Sequence, residues 1–191
     1  VSWWKFDGDA QDSAGSNHGT VYGATWVDDI ERGKVAGFDG VDDYVDASDA
    51  DALDLTDSYT IAMWVKPTTL KDYGNLIWKA NYPADGYGII TLANGDWQWQ
   101  VSPASSNPSS GAGSLVNGQW SFITVTSDTI TEKLYNNGVE KLSISVPYQV
   151  IAGNHNLYIG ADNDNNRYFN GSIDDVMIFN KALTEPEIKA I

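Results

Sequence analysis

Apolar and polar residues alternate along most of this chain in short runs, broken by Gly, Asn, Asp and Pro, the pattern of half-buried β-strands joined by turns. In SYTIAMWVKP, Tyr59, Ile61, Met63 and Val65 fall on one face, with Thr60, Ala62 and Trp64 on the other. Further strands are expected at SWWKFD, KVAGF, YVDA, NLIWK, WSFITVTS, NLYIGA and SIDDVMIF. Two hairpins are predicted, GIITLANGDWQWQV turning at Asn94-Gly95 and KLYNNGVEKLSI at Asn137-Gly138, because Asn-Gly supplies the two positive φ angles of a type I′ turn cheaply. Only the C-terminus reads as helix: Thr184 and Glu187 have capping-box spacing, and Pro186 suits a first turn. The run VSPASSNPSSGAGS, Val101 to Ser114, is the longest patternless stretch, and a loop of that length is usually functional or mobile. No internal repeat and no linker interrupts the alternation, so residues 1–191 read as one all-β sandwich or barrel with a short terminal helix.

Composition adds a large core and narrows the partners. The 191 residues are 42% apolar and 12% aromatic, enough for a substantial interior. Lys+Arg number 11 against 26 Asp+Glu, a formal net charge of −15, and such a field repels phosphate backbones and anionic lipid. Nucleic acid and membranes are therefore poor partners, and a neutral ligand is favoured over a strongly anionic polysaccharide. Cysteine is absent, which removes disulfides, thiolate catalysis and thiolate-bound zinc and fits an exported bacterial protein. The opening VSWWKF has neither a basic nor an apolar leader, so a module of a longer chain is expected, with a processed signal as the alternative.

Candidate chemistry concentrates near the C-terminus. SIDDVMIF carries apolar residues on both faces, so Asp174 or Asp175 lies near a buried surface, where an unpaired carboxylate is costly. With only two Arg and nine Lys in the chain, a bound cation is a ready partner, and hard oxygen ligands select Ca²⁺; a hydrogen bond to backbone amides is the alternative. Upstream, ADNDNNRYF has Asp162, Asp164 and Asn166 at EF-hand spacing, but Arg167 stands where that loop needs Gly and Ile173 where it needs Glu. The loop is either an ordinary polar turn or a sugar-contacting one, with the Arg167 fork and the Tyr168 ring as its sharpest features. In GDWQWQV, Trp97 and Trp99 share one side of a strand and are either core or a platform for pyranose faces. Trp78 and Tyr82 in IWKANYPADGYG, beside Lys79, Asn81 and Tyr87, mix an apolar face with polar groups as sugar sites require.

Catalytic patterns are not found. No ExDxxE strand, GxSxG elbow or HExxH occurs, and Glu31, Glu132, Glu140, Glu185 and Glu187 are expected in turns, a hairpin or the terminal helix. His18 and His155 lie between turn residues, where a structural role is the commoner one.

Taken in order, WKFDGDAQDSAGSNHGT, YGATWV, GFDGVDDYVD, LDLTDSYTIAMWVKP, LYIGADN and FNGSIDDVMIFNKALTEPEI resemble the bacterial laminin G-like domains of the concanavalin A-like lectin/glucanase superfamily. The likeness is strong at both ends and rests on strand pattern alone from Thr69 to Gln119; WSFITVTS lacks the family's usual His after Trp120. The resemblance implies a two-sheet antiparallel β-jelly roll with adjacent terminal strands and a structural Ca²⁺ near their meeting point. Matching the family's phrases, Asp174, Asp7, Asp12 and the carbonyl of Gly40 are the implied ligands. It further implies a non-catalytic carbohydrate-binding module, secreted or on a bacterial surface and appended to a polysaccharide-degrading enzyme; a monomer is expected, and the residue patterns above make Trp78, Tyr82, Trp97, Trp99, Arg167 and Tyr168 its candidate sugar contacts. An adhesion domain that binds protein is the first alternative, and a divergent lyase or hydrolase the second.

Overall fold

The computed structural model describes residues 1–103, 107–111, 113–146, 150–164 and 166–191. Parts of two expected loops, residues 104–106 and 112 of the Ser/Pro/Gly run and Asn165 of the Asp/Asn run, lie outside the described residues.

The strands form two antiparallel sheets. The eight-stranded sheet runs β12 (Val139–Ser145), β11 (Thr131–Asn136), β10 (Ser121–Ser127), β6 (Tyr59–Pro67), β14 (Asn170–Phe179), β4 (Gly33–Asp39) and β3 (Thr25–Asp29), with β1 (Ser2–Trp4) also paired to β14. The six-stranded sheet runs β2 (Thr20–Tyr22), β5 (Tyr44–Asp46), β13 (Tyr158–Ile159), β7 (Gly74–Asn81), β8 (Asp85–Thr91) and β9 (Trp97–Val101). The N- and C-terminal strands are adjacent, Trp3 standing opposite Met177. Together the sheets make the expected jelly roll, with one short helix, α1 (Glu185–Ile188), behind a Thr184–Glu187 capping box.

The core follows from alternation. Ile61, Met63 and Val65 of β6, Ile123 and Val125 of β10 and Ile173, Val176 and Ile178 of β14 point inward. They meet Ile77, Tyr87, Ile89, Trp97 and Trp99 of the other sheet in one buried cluster. Each large side chain so buried contributes about 1.5–3 kcal/mol. Outside the eight-stranded sheet, Ala62, Phe122, Tyr135 and Met177 form a smaller cluster capped by Leu183 and Ile188 of the C-terminal segment.

Several local expectations change. Asn137 (φ 52°) and Gly138 (φ 71°) form the predicted two-residue turn. The other hairpin is looser: Thr91 pairs with Trp97, and the amides of Leu92 and Gly95 close a longer loop on the carbonyls of Asp96 and Leu92. Asp96 is diverted to the Ser110 hydroxyl (2.8 Å), and the chain after Val101 returns alongside β9 to bridge Gln98 with Ser109. NLYIGA contributes only Tyr158 and Ile159 as strand, β2 and β3 are additional strands, and Glu132 lies buried within β11, a strand of the second hairpin.

Candidate functional site

On the outer face of the six-stranded sheet, Trp78 of β7 lies across β8 directly opposite Gly88. A Cβ at Gly88 would stand 2.1 Å from Cε3 of the indole, so this close approach requires glycine. The indole N–H donates to the carbonyl of Ala80 (3.0 Å), which fixes the ring. Tyr82, in the turn after β7, tilts over it with ring centroids 6.5 Å apart at 53°. The Asp/Asn-rich loop after β13 forms the opposite wall. There the buried Asp162 accepts the amide of Asn166 (3.1 Å) and stands 3.8 Å from Arg167 Nε, while the guanidinium lies over the Tyr73 ring at 5.2 Å.

Between these walls is a cleft of about 130 Å³, floored by Trp78 and lined by Asn81, Tyr82, Asp162, Asn163, Asp164, Asn166 and Arg167. Amides, carboxylates and one guanidinium thus surround an aromatic base, an arrangement suited to a ligand with a C–H face and several hydroxyl groups. Tyr168 adjoins it, half-buried; burial pushes its phenol above the usual range, and nearby Asp42, Tyr44 and Asp162 push the same way.

Of the six sugar candidates, Trp78, Tyr82 and Arg167 share this cleft, and Tyr168 flanks it. Tyr82 is 42% exposed, but Trp78 is only 3% exposed and serves as floor, not as an open stacking face. Trp97 and Trp99 are a correction: both are fully buried between the sheets and can touch no ligand. Their common side was legible, but strand pairing made it the inner side, leaving Gln98 and Gln100 on the outer one. Lys79 also turns away from the cleft, buried against Asp49 (2.6 Å) and the His155 carbonyl (2.6 Å), and Tyr87 is core.

The four implied calcium ligands do not converge. Gly40 follows the end of β4 paired with Asn170, whereas Asp12 bridges Trp4, which pairs with Val176. Those ends of β14 are about 20 Å apart at ordinary strand rise. Asp12 is spent on its own turn, accepting amides from Trp3 (2.9 Å), Ala14, Gly15 (both 3.0 Å) and Asn17 (3.1 Å). Burial opposes its ionisation, yet these bonds hold its pKa below the usual carboxylate value. Asp7 is exposed, and the Gly40 carbonyl accepts Lys71 Nζ at 3.0 Å.

Asp174 is buried as expected, but Arg32 supplies its cation. The guanidinium bonds Asp174 through Nε and Asp175 through Nη2, both at 2.6 Å, with its centre 4.3 Å over the Trp64 ring. Arg32 takes Oδ2 of Asp174, and Oδ1 is buried without a hydrogen-bond partner among the described residues. A different set fits a metal better: Asp39, Asp42 and Asp43 each offer a carboxylate oxygen, all within 4.8 Å of one another. Asp43 is buried, and burial followed by the charges of Asp39 and Asp42 raises its pKa, the crowding a divalent cation relieves.

Residues 39–189 match the Laminin_G_3 family, described as the concanavalin A-like lectin/glucanases superfamily. This chain belongs to the Laminin_G_3 family. Its fold is similar to domain 4 of AbnA, a GH43 extracellular arabinanase from Geobacillus stearothermophilus, solved in complex with arabinotriose: TM-score 0.78, 24% identity, covering 99% of this chain and 96% of that one. It is also similar to the binding domain of Paraclostridial Mosquitocidal Protein 1, at TM-score 0.77 and 19% identity, covering 100% of this chain and 51% of that one. The botulinum neurotoxin serotype D binding domain gives 0.73 and 18%, covering 100% and 50%. The Laminin_G_3 chain therefore spans about half the length of those toxin domains. No curated protein matches it. At these identities the likenesses establish the fold, a two-sheet jelly roll, and any ligand has to be argued from the Laminin_G_3 chain's own surface.

Proposed function

We propose that this Laminin_G_3 domain is a non-catalytic carbohydrate-binding module that holds a neutral oligosaccharide or polysaccharide in the cleft between Tyr82 and the Asp162–Arg167 wall. The observation that carries this reading is the cleft itself, an aromatic floor ringed by amide, carboxylate and guanidinium groups. The net charge of −15 favours neutral chains over acidic ones. A similarly folded arabinanase domain solved with arabinotriose makes arabinan the first polysaccharide to try.

The module would act within a secreted protein, bringing an attached polysaccharide-degrading domain to its substrate. Affinity electrophoresis against arabinan, cellulose derivatives, mannan, galactan and pectin tests the reading. Retardation by a neutral polysaccharide, reduced about tenfold in affinity by Tyr82→Ala, is expected, a loss of one contact residue's weight. No retardation by any of them, or release of reducing ends or unsaturated products by the isolated domain, would overturn it.

A structural Ca²⁺ belongs to the same reading, with Asp39, Asp42 and Asp43 as its carboxylate ligands. Since an ion bound only by the folded chain stabilises it by mass action, a chelator is expected to lower the melting temperature by several degrees. An unchanged melting curve, with no calcium found by elemental analysis, removes the ion from the account.

A further inference from the structure

Next to the cleft, the same outer face carries a row of tyrosines from three neighbouring strands. Tyr22 of β2 stands opposite Tyr44 of β5, and the rings stack with centroids 4.7 Å apart at 16°. Tyr44 meets Tyr158 of β13 edge-on at 5.8 Å and 72°. Tyr158 in turn pairs with Asp46 on one side and with Trp78, the floor of the cleft, on the other. All three are outward residues, since Val45 and Ile159 between or beside them are fully buried in the core. Asp46, on the same face, accepts the Asn156 amide at 3.0 Å.

An aromatic row on a water-facing sheet has a bland purpose, because cross-strand aromatic pairs stabilise sheets. That purpose does not account for the polar company. Phenols, the Asp46 carboxylate and the Asn156 amide alternate with ring surface, and Tyr22 is left 44% exposed at the sheet edge. The row also steps across the strands toward the cleft, shifting by two residues between Tyr44 and Tyr158. Three steps between strands at about 4.8 Å, with a two-residue shift of about 7 Å along them, put Tyr22 about 16 Å from Trp78, longer than one sugar unit needs.

We infer that the tyrosine row Tyr22–Tyr44–Tyr158 is a second set of subsites, so that the module binds an extended internal stretch of a neutral glycan laid across β2, β5, β13 and β7. This rests on the carbohydrate-binding reading of the cleft and adds to it the direction and length of the bound chain. The acidic surroundings, Asp46, Asp162 and Asp164, accept hydroxyl hydrogens and repel carboxylated or sulfated sugars, which commits the row to uncharged chains.

Calorimetric titration with arabino-, cello-, manno- and galacto-oligosaccharides of increasing length, the disaccharide upward, tests both levels separately. In the series that binds, affinity is expected to climb with length beyond the trisaccharide and then level off. Tyr22→Ala and Tyr158→Phe are expected to weaken the long oligosaccharides about tenfold while leaving the shortest binder unchanged, whereas Tyr82→Ala weakens both. Tyr22 is at an exposed edge and Tyr158→Phe keeps the ring, so both variants should fold; melting curves check this, and a loss of stability without loss of affinity assigns the row to sheet packing and overturns the inference. Binding by wild type that is independent of length, or insensitive to both row substitutions, also overturns it while leaving the cleft intact. Failure of wild type to bind any series sinks the cleft reading and the row with it.

Discussion

Glu132 stands between the two sheets with one carboxylate oxygen accepting the Trp99 indole N–H at 2.9 Å and the Tyr59 hydroxyl at 3.4 Å. Its other oxygen has no hydrogen-bond partner among the described residues. Burial lifts its pKa from 4.5 to about 7, against the pull of the Trp99 and Tyr59 bonds. The folded chain therefore holds this proton more tightly than the unfolded chain. Its contribution to stability is complete below pH 4.5 and is lost as pH rises toward about 7. Urea unfolding across that window should show stability falling by up to a few kcal/mol, and Glu132→Gln should flatten the fall. A decline of equal size in the variant would remove Glu132 as its source. The neighbouring tryptophans give a second contrast at this scale. Trp99→Ala should cost about 3–5 kcal/mol of stability through the cavity it leaves, whereas Tyr82→Ala, at an exposed turn, should affect binding and leave melting nearly unchanged. Sequence alone placed Trp97 and Trp99 on one side of a strand. Which side faces the other sheet depends on pairing with β8, and no local spacing carries that information.

β14 shows how far an element can be read from its own residues. Its apolar positions on both faces were legible, as was the need for a cation beside a buried carboxylate. The strand bulges between Asp174 and Met177 against β6, and Asp175 takes φ 47°, where β1 and β4 meet its edge at different points. This bulge is what allows successive carboxylates to reach one guanidinium. Arg32 is 142 residues from Asp174 and arrives from the turn between β3 and β4, so nothing around SIDDVMIF could announce it. Removing it as Arg32→Ala should destabilise the domain by on the order of 3 kcal/mol, because Asp174 would remain buried without its counter-charge. Adding Asp174→Asn to that variant should restore part of the loss in urea titrations. Burial already raises Asp174 to about 6, so it adds to the same decline of stability with rising pH as Glu132.

For the whole molecule, the two sheets, the capped terminal helix and the joined termini follow from alternation, turn chemistry and the order of six phrases. The binding face was only partly visible. Trp78, Tyr82 and Arg167 stood out as aromatic or forked side chains among amides, and their meeting in one cleft depends on β13 lying between β5 and β7. Tyr22, Tyr44 and Tyr158 lie far apart in sequence, in strands of two or three residues too short to display periodicity. The charge of the molecule makes a further prediction. Binding of a neutral polysaccharide should change less than about twofold between low and high salt, because no counter-charge is screened in the complex. A steep salt dependence would indicate an ionic ligand instead. The most direct measurement is an amide-resolved NMR titration of the intact domain with arabinotriose and the other neutral oligosaccharides. Shifts concentrated at Asn81, Tyr82, Asp164 and Arg167 and spreading to Tyr44 and Tyr158 are predicted; shifts centred on Trp64 and Phe122 of the opposite sheet, or none with any sugar, would contradict the account.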